Sequence, residues 1–118
     1  MVKKGYIPEV GDIMWIDLNP TRGREQAKVR PALVISPYAY NQKTSLVLAC
    51  PITSVVKGYP FEVSLGTKSK RSKVSGVVLA DHVRSLDWRA RNVTFITKAK
   101  AGVIAEVRLK LGLLLGMK

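Results

Sequence analysis

Between Asp12 and Thr97 the chain reads as six short strands with no helix between them, which limits it to an antiparallel sheet or a small barrel. The strands are expected at Asp12 to Asp17, Ala32 to Ser36, Ser45 to Thr53, Phe61 to Leu65, Val77 to Leu86 and Val93 to Thr97. Asn19-Pro20-Thr21-Arg22-Gly23 closes the first with turn chemistry, and Pro37 to Asn41 is expected as a turn or a single helical turn. Only the C-terminus departs from this pattern. From Val103 onward, Val103, Ile104, Val107, Leu111, Leu114 and Leu115 recur at helical spacing and predict one closing helix. Ala101-Gly102 is a poor cap for it. Leu109 and Leu113 widen its apolar face, which suggests burial against the sheet or a second chain.

A chain of 118 residues makes one domain able to bury roughly two-thirds of its unfolded surface, so it folds without staples. Twenty Lys and Arg against eight Asp and Glu give a net charge of +12, while 47% of the residues are hydrophobic. That is a folded basic domain, and its expected partner is a polyanion, nucleic acid before membrane. Cys50 is the single cysteine, which excludes an internal disulfide and a cysteine-based metal site. Lys3-Lys4 is followed by Gly5-Tyr6-Ile7-Pro8-Glu9 and not by an apolar core, so no secretory signal is read and a cytoplasmic location is expected.

Arg30-Pro31 stands out within this frame. A polar basic loop, Gly23 to Val29, stops at Arg30, and Pro31-Ala-Leu-Val-Ile-Ser36 follows as an apolar strand. Proline biases the residue before it toward extended geometry and denies the strand a donor, so Arg30 is expected at a strand start on a sheet edge. The run Leu46 to Cys50 ends in Pro51-Ile52-Thr53-Ser54 and can bring hydroxyls to the same rim. Arginine and hydroxyl together on a small barrel suit a phosphate-handling site.

Several chemistries are excluded or disfavoured. His82 is the single histidine, so a two-histidine ribonuclease cannot operate within one chain, and His82 is read as a structural or surface residue on a strand. The carboxylates are too scattered for a two-metal nuclease, and neither a glycine-rich phosphate loop nor a nucleophile elbow is present. Arg30, Thr53 and Glu25 remain. RNA carries its own nucleophile, the 2′-hydroxyl; a protein need only align it, stabilise charge on the phosphate and manage two protons. Arg30 fits the clamp, Thr53 a hydrogen bond to a non-bridging oxygen, and Glu25 the acceptor of the 2′-hydroxyl proton. Arg24, Lys28 and Lys57 supply further charge for RNA. Against this, Glu25 can equally be a surface ion-pair partner of Arg22, Arg24 or Lys28. The loop Gly66 to Lys73 carries four positive charges and reads either as a mobile hairpin loop or as a grip on phosphates.

An ordered set of residues then carries a resemblance: Gly11-Asp12 with Trp15, Pro20-Thr21, Gly23, Glu25-Gln26-Ala27, Arg30-Pro31-Ala32, Ser36-Pro37, Tyr40-Asn41, Lys43-Thr44, Pro51, Thr53, Lys57 to Val63, and Trp88-Arg89-Ala90-Arg91. From about Tyr6 to Arg91 the chain resembles the MazF/PemK family of toxin endoribonucleases. The resemblance implies an SH3-like barrel with helices, a homodimer, and metal-independent cleavage of single-stranded RNA to a 2′,3′-cyclic phosphate and a 5′-hydroxyl. It also implies a cognate antitoxin whose acidic, flexible tail occupies the RNA groove. The family's arginine falls on Arg30, its catalytic threonine on Thr53 and a loop glutamate on Glu25, while Gln26 and Lys57 match positions of substrate contact. Two departures are the basic loop at 66 to 73 and histidine at position 82, where relatives commonly carry another polar residue. Two other readings stay open. One is a non-enzymatic inhibitor resembling the gyrase-poisoning relatives, acting through the terminal helix; the other is a plain basic nucleic-acid-binding barrel. Tyr38, Tyr40, Tyr59, Phe61 and Trp88 can stack bases, although most of the eight aromatics are expected in the core.

Overall fold

The structure is a computed structural model that describes residues 5–20, 22–25, 28–66 and 73–117. Gln26 lies outside the described residues, as does the basic loop apart from its ends, Gly66 and Lys73. The elements run β1 (Asp12–Asp17), β2 (Val29–Val34), α1 (Tyr38–Thr44), β3 (Leu46–Thr53), β4 (Glu62–Ser64), β5 (Val77–Leu79), a 3₁₀ turn (Ala80–His82), β6 (Arg84–Asp87), β7 (Thr94–Lys98) and α2 (Ala101–Leu114). All pairings are antiparallel, in the order β4-β5-β3-β2-β1-β7, with β6 also on β3. The sheet curls toward a barrel without closing, since β4 and β7 stand at its two ends.

Period-two alternation explains why both faces of β1 to β3 are apolar. Met14, Ile16, Ala32, Val34, Val47 and Ala49 join Leu86 and Trp88 in one buried cluster. Ile13, Leu33, Cys50 and Ile52 face the other way, into a second cluster with Val63, Val78 and Val107. Each Val, Leu, Ile or Met side chain so buried contributes about 1.5–3 kcal/mol. Helix α2 closes the second cluster through Val103, Val107 and Leu111, and Ile104 packs on Gly11, where a Cβ would come within 2.8 Å of its Cδ1.

Four expectations need correction. The strand of Arg30 starts at Val29 and is interior, between β1 and β3, not at a sheet edge. The single strand expected from Val77 to Leu86 is two strands parted by the 3₁₀ turn, because β5 and β6 follow one another along the same partner, β3. Pro37 to Asn41 opens a helix of seven residues. On α2, Leu114 and Leu115 do not join the buried stripe: with Leu109 and Leu113 they stand exposed.

Asn41 ties α1 to the sheet. Fully buried, it donates through Nδ2 to the carbonyls of Pro8 (2.8 Å) and Ser36 (3.0 Å), and its Oδ1 accepts the Ser36 hydroxyl. Its backbone carbonyl accepts the Trp88 indole N–H at 2.9 Å. Trp88 is thus core, while Tyr38, Tyr40 and Tyr59 are exposed, against the expectation that most aromatics are needed inside.

Candidate active site

The β2–β3 ladder pairs Val34 with Ala49, Leu33 with Cys50 and Ala32 with Pro51. Two residues further along each strand stand Arg30 and Thr53. Alternation gives them the face of Ala32, Val34 and Ala49, so both emerge at the margin of the first core cluster. Arg30 is half-buried and pairs with the fully buried Ile16 of β1. Thr53 is 6% exposed and pairs with Val77 of β5. Its Oγ1 accepts the Val55 N–H at 3.1 Å, an ST-type turn that orients the hydroxyl and leaves its own proton to donate.

Glu25 stands in the loop between β1 and β2, in a cleft whose lining includes neither Arg30 nor Thr53. Its Oε1 accepts the backbone N–H of Arg22 at 2.8 Å, and its own N–H donates to the Arg22 carbonyl at 3.1 Å, a reciprocal turn. Arg24 and Glu25 line a cleft of about 310 Å³ with Pro51, Asp81, His82, Val83 and Arg84. His82 is therefore not on a strand. It sits in the 3₁₀ turn and lines this cleft together with Glu25 and Pro51, its Nε2 4.0 Å from Asp81 Oδ1. Lys28 lies at the loop's end in the left-handed region (φ 71°), and Lys57 lies on the exposed segment after Thr53. A broader groove of about 960 Å³, between Gly5–Ile7 and Trp88–Phe95, contains none of the expected site residues.

Two arginines that the sequence reading left without a role hold the loop's root. Arg84 donates to the carbonyls of Leu18 (2.7 Å) and Pro20 (3.4 Å). Arg91 donates to those of Asp17 (2.9 Å) and Asn19 (2.7 Å). Lys28 closes the loop, its N–H on Asn19 Oδ1 and its carbonyl accepting the Leu18 N–H. The spacing of arginines gave no sign of this, because the acceptors are backbone groups about seventy positions away. Among the described residues, no three His, Cys, Asp or Glu side chains converge on one point. No helix of the described residues is long and apolar enough to cross a membrane.

Residues 9–115 match the family described as PemK-like, MazF-like toxin of type II toxin-antitoxin system. The chain belongs to this family. The endoribonuclease toxin MazF of Escherichia coli (strain K12) is 47% identical to it over 106 residues, covering 90% of this chain and 87% of that protein. The crystal structure of MazF (Form-I) from Deinococcus radiodurans, 56% identical, superposes with a TM-score of 0.90 over 96% of this chain and 100% of the other. A MazE-MazF structure from the same organism matches at 52% identity and a TM-score of 0.83, over 97% and 100% of the two chains. The family's mainly antiparallel sheet with a C-terminal helix is the fold found here.

Proposed function

We propose that this chain is the toxin of a toxin-antitoxin pair, an endoribonuclease that cuts single-stranded RNA, mRNA among its substrates, and so arrests translation and growth. In this reading the 2′-hydroxyl oxygen attacks the adjacent phosphorus. An O2′–P bond forms, the P–O5′ bond breaks, and a 2′,3′-cyclic phosphate and a 5′-hydroxyl result. Glu25 takes the proton from the 2′-hydroxyl, and a proton reaches the departing O5′ from the Arg30 side. The Arg30 fork holds two phosphoryl oxygens more strongly as charge builds on them, and the Thr53 hydroxyl donates to a non-bridging oxygen. Arg24, Lys28 and Lys57 supply charge along the path of the RNA backbone, and Gln26 is assigned a substrate contact by the family resemblance. The substrate supplies its own nucleophile, so no metal is required. A homodimer, a cytoplasmic location and inhibition by a MazE-type partner with an acidic, flexible tail complete the proposal.

The observation that supports it most is that Arg30 and Thr53 each stand two residues beyond the Ala32–Pro51 pair that ends the β2–β3 ladder, on the same strand face, with Pro51 also lining the cleft of Glu25. The test is to incubate the purified protein with a long single-stranded RNA in EDTA and map cut sites and end groups beside an Arg30→Ala control. Cuts at a recurring short motif with cyclic-phosphate and 5′-hydroxyl ends, absent in the control, are expected. Intact RNA with folded protein would overturn the reading.

A further inference from the structure

Directly after Thr53, residues 54–60 form an arm exposed along its whole length. It carries large apolar side chains that a solvated loop would avoid: Val55 is 59% exposed, Val56 62% and Tyr59 61%. The Lys57 ammonium lies 5.9 Å from the centre of the Tyr59 ring. The arm is built, not loose. The Glu62 carboxylate accepts two successive backbone donors, Lys57 N–H on Oε2 at 3.2 Å and Gly58 N–H on Oε1 at 3.0 Å. Gly58 turns there at φ +80°, and the Glu62 N–H closes the turn on the Tyr59 carbonyl at 3.1 Å. From below, Lys110 of α2 donates to the Glu62 carbonyl at 3.0 Å and pairs with Glu106 at 3.2 Å.

We propose that Glu62 is a positioning residue for RNA: it fixes the arm so that Tyr59, with Lys57 over it, stacks an unpaired base next to the phosphate held at Thr53. The inference rests on the ribonuclease reading and adds to it a residue that touches no RNA. The occupant follows from the surface itself. An aromatic face with a cation beside it, on a chain of net charge +12, suits a base whose neighbouring phosphates are anionic. Stacking reads any base, so the arm contributes affinity more than choice of sequence. Both Glu62 oxygens are engaged by backbone donors of the arm, which is what a positioning residue requires.

The test uses the intact protein, with steady-state cleavage of an RNA oligonucleotide carrying the mapped cut motif. A copy with a 2′-deoxy sugar at the cut, which binds without reacting, gives Kd. Tyr59→Ala is expected to raise KM and Kd roughly five-fold or more, with kcat kept within about two-fold. Glu62→Ala should reproduce that split, and Glu62→Gln, which keeps one acceptor oxygen, should fall between it and the parent. The double variant should be no worse than Tyr59→Ala, because Glu62 acts through Tyr59. Unchanged KM in Glu62→Ala, a loss confined to kcat, or effects that multiply in the double variant would overturn the proposal. So would conversion of a dimer to a monomer by Tyr59→Ala in light scattering, which would make the arm an interface between copies. Failure of the parent protein to cut RNA sinks the ribonuclease reading instead, so the two failures are separable.

Discussion

Gly76 lies so close to Thr53 that a Cβ built on it would stand 2.2 Å from the Thr53 carbonyl oxygen and 3.0 Å from Ser54 Cα. Its φ of +105° is in the region that L side chains rarely adopt. The end of β3, where the candidate hydroxyl sits, is therefore seated against a residue that must be glycine. Gly76→Ala is expected to cost about 2 kcal/mol or more in urea denaturation through strain and clash. RNA cleavage should fall further than stability, since Thr53 has to move. Full activity in a Gly76→Ala protein would show that the position of Thr53 does not matter.

Arg30 and Thr53 should differ in how they respond to conservative change. Arg30→Ala is expected to lower kcat by about a hundredfold or more, and Thr53→Ala by a comparable or smaller factor. Arg30→Lys keeps the charge but loses the planar fork, so it should recover only part of the rate, whereas Thr53→Ser keeps the donor and should recover most of it. Single-turnover cleavage in EDTA measures each.

The loop root gives a third expectation. Arg91→Met removes both hydrogen bonds to the Asp17 and Asn19 carbonyls, at about 1–2 kcal/mol of stability. Amide hydrogen exchange should then quicken in the loop carrying Glu25 before it quickens in β2 or β3. Uniform acceleration across all three would mean that Arg91 supports the whole sheet rather than the loop.

Cys50 supplies a pH prediction. Burial first, and the Asp81 carboxylate second, push its thiol from an ordinary 9.0 up to about 12. The native thiol should resist an aromatic disulfide reagent at neutral pH and react only on unfolding. Because the folded state holds this proton more tightly than the unfolded one, its contribution to stability is complete below pH 9 and is lost as pH rises toward about 12. Urea midpoints should therefore fall more steeply over that window in the parent than in Cys50→Ala, and parallel curves would contradict the assignment.

Asn41 offers a check on the fold alone. Asn41→Ala removes the amide that serves the Pro8 and Ser36 carbonyls inside the core, and about 2–3 kcal/mol is expected from calorimetry. Asn41→Asp should do no better, since a carboxylate cannot donate to those carbonyls.

The strands were legible because alternation along β1 and the apolar runs of β2 and β3 reflect which side chains must leave water, a local pattern. The split of the last long run was not legible. Val77 to Leu86 reads as one strand, and only the change of position along β3 imposes the 3₁₀ turn that swings His82 to the cleft. Arg30, Thr53 and Glu25 could be named from residue chemistry and resemblance, yet the roles of Arg84 and Arg91 could not. Their acceptors are backbone carbonyls, which carry no sequence identity.

The sequence by itself determined a basic antiparallel domain closed by one helix, because apolar period, turn residues and charge balance are properties of the chain alone. Only the tertiary structure decided that Arg30 is interior to the sheet, that Arg30 and Thr53 both lie two residues beyond the Ala32–Pro51 pair, and that Glu25 and His82 share one cleft. Those relationships join residues far apart in the chain, and they exist only once strand pairing has fixed which backbone lies beside which.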